Sequence, residues 1–281
     1  MIQPNGVPTR SPYAKFLPET LRMRLRKTLF QVLKLHWVFP SGVIVQVRSF
    51  ADWITYNEVF VRGEYEPAID RALALAAPDD PFYVVDLGAN VGTFSLRCAD
   101  VLLGKRGQSR QLWIDLVEGS PTAFRELVAR LDQPALPSGC ARPVNGLVGK
   151  RSGSARISDL DIHAINSVTQ STRSSVEVPF VDVNELCGRK PVIDLLKCDI
   201  EGSEFTFLNT YADLLARTRV AVLELHHKLC DTDACLKLLG TAGMEHETLR
   251  PSDGETSVHL FWRAEMHAAE LHGSVHSAVG G

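Results

Sequence analysis

The stretch FYVVDLGANVGTFSL, Phe82 to Leu96, decides the fold of this chain. Its first six residues are apolar on both faces of an extended chain, which predicts a strand covered on each side. Gly88 and Gly92 follow and allow a tight turn into a helix. Two later runs, VIDLLKC (192–198) and VAVLEL (220–225), share the two-sided apolar character. All three are therefore predicted to be central parallel strands with helices packed on both faces.

Strands and helices alternate along the chain around this stretch. The turn PSDGET, residues 251–256, joins two final strand-like runs and predicts an antiparallel hairpin. The predicted fold class is α/β, a doubly wound, mostly parallel, seven-stranded Rossmann-like sheet with an antiparallel C-terminal hairpin. We expect an N-terminal arm, amphipathic helix and cap segment over residues 1–77, the main domain over 78–265, and a frayed tail over 266–281.

The segment LRMRLRKTLFQVLKLHW, residues 21–37, predicts an amphipathic helix. Leucine and valine recur at helical spacing, while Arg22, Arg24, Arg26 and Lys27 crowd the polar side. A basic amphipathic helix can lie on an anionic membrane. It can equally cap the main domain with a solvated basic face, and the residues alone leave both interpretations open.

The whole-chain composition narrows the class of protein. The chain has 281 residues, 45% hydrophobic and 22% charged, with a net charge of −3 and a pI near 6.3. These values predict no nucleic-acid partner, and no apolar run reaches the roughly 18 residues of a transmembrane helix. The N-terminus lacks the apolar core of a secretory signal. The six cysteines include no CxxC pair, so we expect reduced thiols in a cytoplasmic protein.

The loop after the first central strand points to a ligand. GANVG, residues 88–92, is not the GxGxxG of dinucleotide sites, because Phe94 follows where that pattern needs a small residue. Glu118 ends the next strand, where a carboxylate can accept hydrogen bonds from a ribose diol. Asp86 would repel a pyrophosphate and favours a cationic ligand. S-adenosylmethionine, with its sulfonium and α-amino groups, suits this set, and incidental acids at strand ends are the alternative.

The run IDLLKCDIEGSEF, residues 193–205, ends a buried-looking strand in a dense group of charges. Glu201 and Glu204 suit the first turn of a helix, where acids complement the helix dipole. Lys197 and Asp199 follow the strand too closely for that role, and their burial would be costly without an ion pair. The sequence therefore predicts a pair between Lys197 and a carboxylate at this strand end.

Three roles remain open for this charged group. A carboxylate can orient or deprotonate a substrate hydroxyl. His226, at the end of the next strand, can be the general base, because an unperturbed imidazole titrates near neutral pH, although it can also be structural. A divalent cation such as Mg²⁺ can bind instead, since Asp199, Glu201, Glu224 and His226 offer suitable ligand atoms, Asp199 and Glu224 first among them.

Taken in order, these segments resemble the FkbM family of S-adenosylmethionine-dependent methyltransferases. DLGANVGTFS (86–95) is similar to the family's DVGANIG motif, and LLKCDIEGSEFTFL (195–208) to LLKIDVEGAELEVL. VEGSPTAFREL (117–127), VLELHH (222–227) and GEYEP (63–67) resemble further segments of the family. The resemblance covers roughly residues 64–227. It departs before the LLKID-like strand, where only Asp182 matches the family's Thr-Leu-Asp.

The resemblance implies methyl transfer from S-adenosylmethionine to a hydroxyl of a small molecule, a glycoside or a natural product. The cofactor-binding residues it implies are Asp86, Gly88, Asn90, Gly92, Glu118 and Asn145. The residues expected around the transfer are Lys197, Asp199, Glu201 and His226, with Tyr65 and Glu66 on the substrate side. The polar segment HAINSVTQSTRSS, residues 163–175, is expected to carry part of the acceptor specificity.

Two other functions stay open from the residues. A nicotinamide-dependent oxidoreductase could use Glu118 on the adenosine ribose, but the missing third glycine and Asp86 count against it. A methyltransferase-like binding module could bind the cofactor without turnover and recruit a partner through its basic N-terminal helix. The intact charged group at the strand end counts against that loss of activity.

Overall fold

A computed structural model describes residues 28–30, 32–33, 35–77, 80–106, 111–158, 175–188 and 190–263. The strands are β1 (Leu35–Val38), β2 (Ile44–Val47), β3 (Phe82–Leu87), β4 (Leu112–Glu118), β5 (Ala141–Asn145), β6 (Ser154–Ser158), β7 (Ser175–Pro179), β8 (Ile193–Cys198), β9 (Thr218–His226), β10 (Glu245–Arg250) and β11 (Thr256–Trp262). The helices are α1 (Phe50–Tyr56), α2 (Glu66–Leu75), α3 (Thr93–Arg106), α4 (Pro121–Leu131), α5 (Val183–Cys187), α6 (Glu204–Thr210), α7 (Ala212–Ala216) and α8 (Thr232–Thr241), and a π-helical turn, Asn57–Val61, continues α1.

Seven strands form one sheet in the order β10-β11-β9-β8-β3-β4-β5. The strands from β9 to β5 are parallel, while β11 pairs antiparallel with both β9 and β10. This confirms the predicted α/β sheet with its antiparallel C-terminal hairpin. The chain leaves β3 towards β4 and β5 and later places β8 on the other side of β3. The carboxyl ends of β3 and β8 therefore form the topological switch point at which such sheets bind ligands.

The central strands are buried on both faces. All six residues of β3 and all six of β8 are buried. Alternate residues pack into different apolar clusters: Val84 and Leu195 into one, and Val85 and Leu196 into the other. This two-sided packing is what the apolar runs predict, and it holds the carboxyl ends of β3 and β8 side by side.

The N-terminal segment corrects one prediction. Residues 28–30 and 32–33 are helical, but Leu35–Val38 is a strand that pairs antiparallel with β2, so the predicted helix does not extend to Trp37. The Trp37 ring stacks on Tyr56 at a centroid distance of 4.4 Å, a long-range contact that overrides the helical periodicity. The basic residues of the predicted helix, Arg22 to Lys27, lie outside the described residues.

A small hairpin, β6 with β7, lies outside the main sheet and was not expected. Its strands, SARIS and SVEVP, alternate apolar and polar residues, which is a strand signal that the sequence analysis passed over. The proposed specificity segment, residues 163–175, joins them and lies outside the described residues except for Ser175. The expected frayed tail, 266–281, also lies outside them.

Two further predictions concern the thiols and the membrane. All six cysteines are free, and five of them are buried, as expected for reduced thiols. Within the described ranges, no helix combines the length and the apolar character that a membrane span requires.

Candidate active site

A cavity of about 470 Å³ opens at the switch point. Gly88 and Asn90 from the loop after β3, and Glu118 at the end of β4, line one side. Asp199 and Glu201 from the loop after β8 line another. The remaining wall is apolar and includes Leu147, Ala155, Ile157 and Phe180. The structure therefore brings both sequence-predicted clusters, the glycine loop and the charged strand end, into one cavity.

Gly88 allows the two strand ends to meet. It has φ +73°, and a Cβ atom there would lie 1.7 Å from the carbonyl oxygen of Asp199. The backbone N–H of Asp199 donates to the Leu87 carbonyl at 3.0 Å, and the Gly88 N–H donates to Val117 at 2.9 Å. A side chain at Gly88 would separate β3 from β8.

Glu118 is held by main-chain donors at the mouth of the glycine loop. Its two carboxylate oxygens accept hydrogen bonds from the N–H groups of Asn90 and Ser120, each at 2.8 Å. Burial raises the pKa of Glu118, although the two N–H donors oppose the shift. Each oxygen keeps a free lone pair, so a ribose diol can still donate to this carboxylate.

Three of the predicted cofactor residues have other contacts. The Asp86 carboxylate is fully buried, accepts from the Ser95 hydroxyl at 2.7 Å and faces Lys197. Burial raises the pKa of Asp86. A Cβ on Gly92 would meet Leu127 at 2.7 Å, so this glycine serves helix packing. The Asn145 side-chain amide donates to the carbonyl of Glu118 at 2.8 Å. None of the three is among the described cavity-lining residues, so the argument that Asp86 attracts the cofactor directly gains no contact here.

Lys197 is a buried ammonium that joins the two loops. It donates to the Gly88 carbonyl at 2.7 Å and lies 3.3 Å from Asp199 and 3.6 Å from Asp86. Burial by itself lowers the pKa of Lys197, but the Asp199 and Asp86 carboxylates outweigh it and raise that pKa above its ordinary value. The predicted pair between Lys197 and a carboxylate is present, with two acids instead of one.

His226 is paired with a second buried carboxylate. Its Nδ1–H donates to Glu204 at 2.8 Å, while Nε2 lies 3.6 Å from Glu201 and 3.9 Å from Asp199. Burial opposes protonation, but the bond to Glu204 and the neighbouring acids raise the pKa of His226 to about 9. The imidazole therefore carries a positive charge at neutral pH. That corrects the expectation of an unperturbed histidine poised to act as a base.

The acidic loop after β8 is ordered from a buried end to an open end. Side-chain exposure rises from 0% at Glu204 through 12% at His226 and 27% at Asp199 to 84% at Glu201. Glu204 Oε1 also accepts from the N–H of Gly202 at 3.1 Å, and Glu201 has φ +53°. Glu201 therefore belongs to a left-handed turn before α6 and not to the helix's first turn, as the capping interpretation required.

One atom each of Asp199, Glu201 and His226 lie within 4.8 Å of one another, a spacing that a cation could bridge. Glu224, a first candidate ligand from the sequence, is not in this group, because Arg250 donates to it at 2.9 Å. His226 Nδ1 is already bound to Glu204. These contacts give the acidic loop protein partners, and no step below depends on a metal.

The two predicted substrate residues, Tyr65 and Glu66, lie away from the described lining. Tyr65 is 7% exposed and packs edge-on against Phe94 at 5.3 Å. Glu66 forms an ion pair with Arg97. Both side chains have packing or pairing partners within the fold, and a substrate contact for either remains a prediction.

The chain matches the profile of the methyltransferase FkbM domain over residues 86–270, more than half of its length. It belongs to the FkbM methyltransferase family. A relative of this FkbM protein is the hexuronic acid methyltransferase AglP of Haloferax volcanii, 25% identical over 227 residues that cover 78% of this chain and 88% of AglP. The family match decides against the nicotinamide-dependent alternative, and the protein is an S-adenosylmethionine-dependent methyltransferase.

Solved methyltransferase structures show weaker similarity. The methyltransferase FkbM from Methylobacillus flagellatus KT is 16% identical and covers 67% of this chain and 45% of its own, with a TM-score of 0.45. The magnesium protoporphyrin IX methyltransferase ChlM from Synechocystis PCC 6803, solved with bound S-adenosylmethionine, is 12% identical and covers 73% and 82%, with a TM-score of 0.38.

The residues of the cavity fit S-adenosylmethionine. The bare backbone at Gly88 leaves space that a Cβ would fill, and Glu118 presents carboxylate oxygens at the end of β4. The sequence analysis missed the apolar wall of Ala155, Ile157 and Phe180, which offers a surface for a flat ring. The alternation in SARIS was the available signal, since a short hairpin folded over a strand end needs one apolar face.

Proposed function

We propose that this methyltransferase transfers the methyl group of S-adenosylmethionine to a hydroxyl oxygen of a sugar or a similar polyol. The observation that carries the proposal is the position of Asp199 and Glu201, whose carboxylates line the same cavity as the ribose-binding candidate Glu118. Carboxylates accept hydrogen bonds from hydroxyl groups. An acceptor alcohol between these acids and the cofactor would therefore be held by its own proton.

When bound, the cofactor supplies a methyl group on a sulfonium, which is already activated for displacement. The chain's own residues have to place the acceptor oxygen about 3 Å from that methyl, in line with the breaking bond. Asp199 is suited to accept the hydroxyl proton, because it is the less exposed of the two cavity acids and is anchored by Lys197 at 3.3 Å. Glu201, at the open end, is suited to bind a second hydroxyl of the acceptor.

His226 supports these acids instead of acting as the base at neutral pH. With its pKa raised to about 9, the imidazolium faces Asp199 and Glu201 through Nε2 and balances their charge. Glu204 orients the ring through Nδ1. Lys197 and His226 together place two positive charges behind the carboxylates, so we expect turnover to persist in EDTA.

The charge of the cavity bears on the acceptor. Glu118, Asp199 and Glu201 are acidic, and the described residues that line the cavity include no lysine, arginine or histidine. An acceptor with a carboxylate close to the reacting hydroxyl would be repelled. We therefore propose a neutral hydroxyl-rich acceptor, although AglP carries hexuronic acid in its name. A uronic acid whose carboxylate points to the segment 163–175 would instead meet Arg173 of the sequence.

Calorimetric titration tests the cofactor half of the proposal. We expect S-adenosylmethionine and S-adenosylhomocysteine to bind and NAD not to bind. Glu118→Ala should weaken both S-adenosyl compounds at least about tenfold, because it removes charged acceptors from the site. Glu255→Ala, an acid that is 66% exposed on the C-terminal hairpin, is the control and should bind normally. Binding of NAD by the folded protein would contradict the proposal.

Methyl transfer to a panel of neutral glycosides, uronic acids and amino sugars, followed by mass spectrometry of the methylated bond, tests the acceptor half. We expect an O-methyl product on a neutral glycoside and a loss of turnover of about 100-fold in Asp199→Asn. Cofactor binding should survive in that variant. An N-methyl product, or full turnover in Asp199→Asn, would reject the proposed chemistry while leaving the cofactor site intact.

A further inference from the structure

The charges of this chain are unevenly distributed. The first 50 residues contain eight lysines and arginines and a single acid, Glu19, which gives them a net charge of +7. The other 231 residues contain 22 basic and 32 acidic residues, a net charge of −10. The modest whole-chain charge of −3 conceals this asymmetry. A basic terminal segment on an acidic domain is typical of attraction to a polyanionic surface.

Exposed apolar side chains are concentrated in the same part of the chain. Among the described residues, eleven large hydrophobic side chains are exposed, and seven of them lie between positions 29 and 61. Six of these define what we call the N-terminal apolar surface: Leu29, Val32, Leu33, Val38, Phe50 and Trp53. Val32 and Val38 are the most exposed of the six, at 72% and 64%. Apolar exposure of this density marks an interaction surface.

The N-terminal apolar surface is attached firmly to the main domain. Phe30 packs on Phe50 with ring centroids 6.5 Å apart, and Trp37 lies 6.1 Å from Trp53, so the N-terminal residues and α1 form one layer. Below this layer, the guanidinium of Arg130 in α4 donates to the buried carboxylate of Asp52 at 2.6 Å. Whatever binds the surface therefore carries the whole domain with it.

We propose that residues 21–53 bind peripherally to a membrane surface that contains anionic lipids. The combination of features favours this partner. Arg22, Arg24, Arg26 and Lys27 precede the apolar surface directly in the chain and suit lipid phosphates. Exposed leucine, valine, phenylalanine and tryptophan suit the acyl boundary below the headgroups.

Two other occupants fit less well. Nucleic acid would use the basic residues, but aliphatic side chains such as Val32 and Leu33 add nothing to phosphate or base recognition. A second copy of this chain would bring two segments of charge +7 together, which is electrostatically unfavourable at moderate salt.

Co-sedimentation of the full chain with vesicles tests the proposal. One set contains phosphatidylcholine alone and the other contains phosphatidylcholine with phosphatidylglycerol. We expect binding to the anionic vesicles only, weakening as sodium chloride is raised because surface charges are screened. The emission of a tryptophan at the apolar surface should shift to the blue on binding.

Three variants locate the binding surface. Arg24→Glu with Arg26→Glu, and Val32→Ser with Leu33→Ser, should each weaken vesicle binding about tenfold or more. Val128→Ser changes an exposed apolar side chain on α4, 41% exposed, and should bind vesicles as the wild type does. Unchanged titration with S-adenosylhomocysteine will show that each variant is folded.

Several results would overturn the proposal. These are absence of vesicle binding, equal binding to neutral vesicles, or retention of binding in both double variants. Salt-dependent binding of RNA or DNA that survives in the Val32→Ser, Leu33→Ser variant would assign the basic segment to nucleic acid. A dimer by light scattering that the same variant abolishes would assign the apolar surface to self-association.

Discussion

The loops that follow β3 and β8 are neighbours with the same plan and different construction. Each joins a fully buried parallel strand to a helix, and each holds one non-glycine residue at positive φ, Asn90 at 50° and Glu201 at 53°. The β3 loop is held mainly by main-chain hydrogen bonds and needs glycine at Gly88. The β8 loop is held by side chains, chiefly Glu204 and His226.

This difference shows why the two halves of the site differ in how they can be predicted. A loop held by its own backbone advertises itself through glycine spacing, which is visible in a short stretch of sequence. A loop held by ion pairs depends on partners from other strands. Lys197 needs Asp86 of β3, and Glu204 needs His226 of β9, 22 residues away. The first can be recognised locally, while the second is defined only after the sheet has formed.

The largest effect is expected at Gly88. Gly88→Ala places a Cβ 1.7 Å from the Asp199 carbonyl and should abolish binding of S-adenosylhomocysteine, more than 100-fold by calorimetry, or prevent folding. Gly139→Ala is a matched control, because Gly139 has φ +74° and a Cβ there meets nothing within 4 Å. The control should lose only the backbone cost of about 1–2 kcal/mol. Equal effects in the two variants would show that conformation, and not the contact between β3 and β8, explains the glycine.

The next effect is expected at Glu204. Glu204→Gln should destabilise the fold by about 3 kcal/mol at pH 7 in urea unfolding, because it leaves His226 without its buried partner. The pKa of His226, followed by NMR, should fall from about 9 towards the ordinary 6.5. Glu255→Gln, in an exposed pair with Lys228, is the control and should change neither quantity.

The pH dependence of stability follows from the same pair. The raised pKa of His226 makes its contribution full below about 6.5 and lost as the pH rises through about 9. The pKa of Glu204 is lowered, chiefly by the bond to His226 against its own burial, so its contribution is lost as the pH falls below its ordinary value. The pair should therefore stabilise the fold most in the mildly acidic to neutral range. A wild-type stability profile that is flat from pH 7 to 9.5 would contradict it.

A smaller effect on the acidic side comes from the C-terminal hairpin and separates it from the β8 loop. His259 is 7% exposed, bonds to Ser257 at 2.7 Å and His246 at 2.9 Å, and its pKa is lowered to about 4, chiefly by burial. The unfolded chain binds this proton near pH 6.5, so stability should fall by about 1 kcal/mol between pH 7 and 5.5. His259→Asn should remove that loss, and Glu204→Gln should retain it. The opposite result would place the acid sensitivity in the active site.

The smallest effects compare the two left-handed residues directly. Glu201→Gly relieves backbone strain and should stabilise the fold by up to about 1 kcal/mol, while turnover falls. Asn90→Gly should gain only a few tenths of a kcal/mol, because asparagine already tolerates this conformation. Thermal unfolding and methyl transfer measured on both variants decide this, and a larger gain at Asn90 would reverse the assignment of strain.

The order of the central strands and the glycine turn could be predicted because their signals are local. The two-sided apolar runs of β3 and β8 require cover on both faces, and Gly88 marks the turn that follows. The end of the N-terminal helix could not be predicted in the same way. Leu35–Val38 is a strand because it pairs with β2 and because Trp37 stacks on Tyr56, and neither contact can be seen in its own sequence.

The residue types at the site were likewise visible, but their roles depended on tertiary contacts. The sequence alone determined that Lys197, Asp199, Glu201 and His226 would gather at one edge of a parallel sheet, since the carboxyl ends of its strands share that edge. Only the folded structure decided which charges face which. It buries Asp86 behind Lys197, gives Glu224 to Arg250 and pairs His226 with Glu204. The physical reason is that periodicity reports burial over a few residues, whereas the charge state of a buried group depends on every atom within several ångströms, from whichever strand it comes.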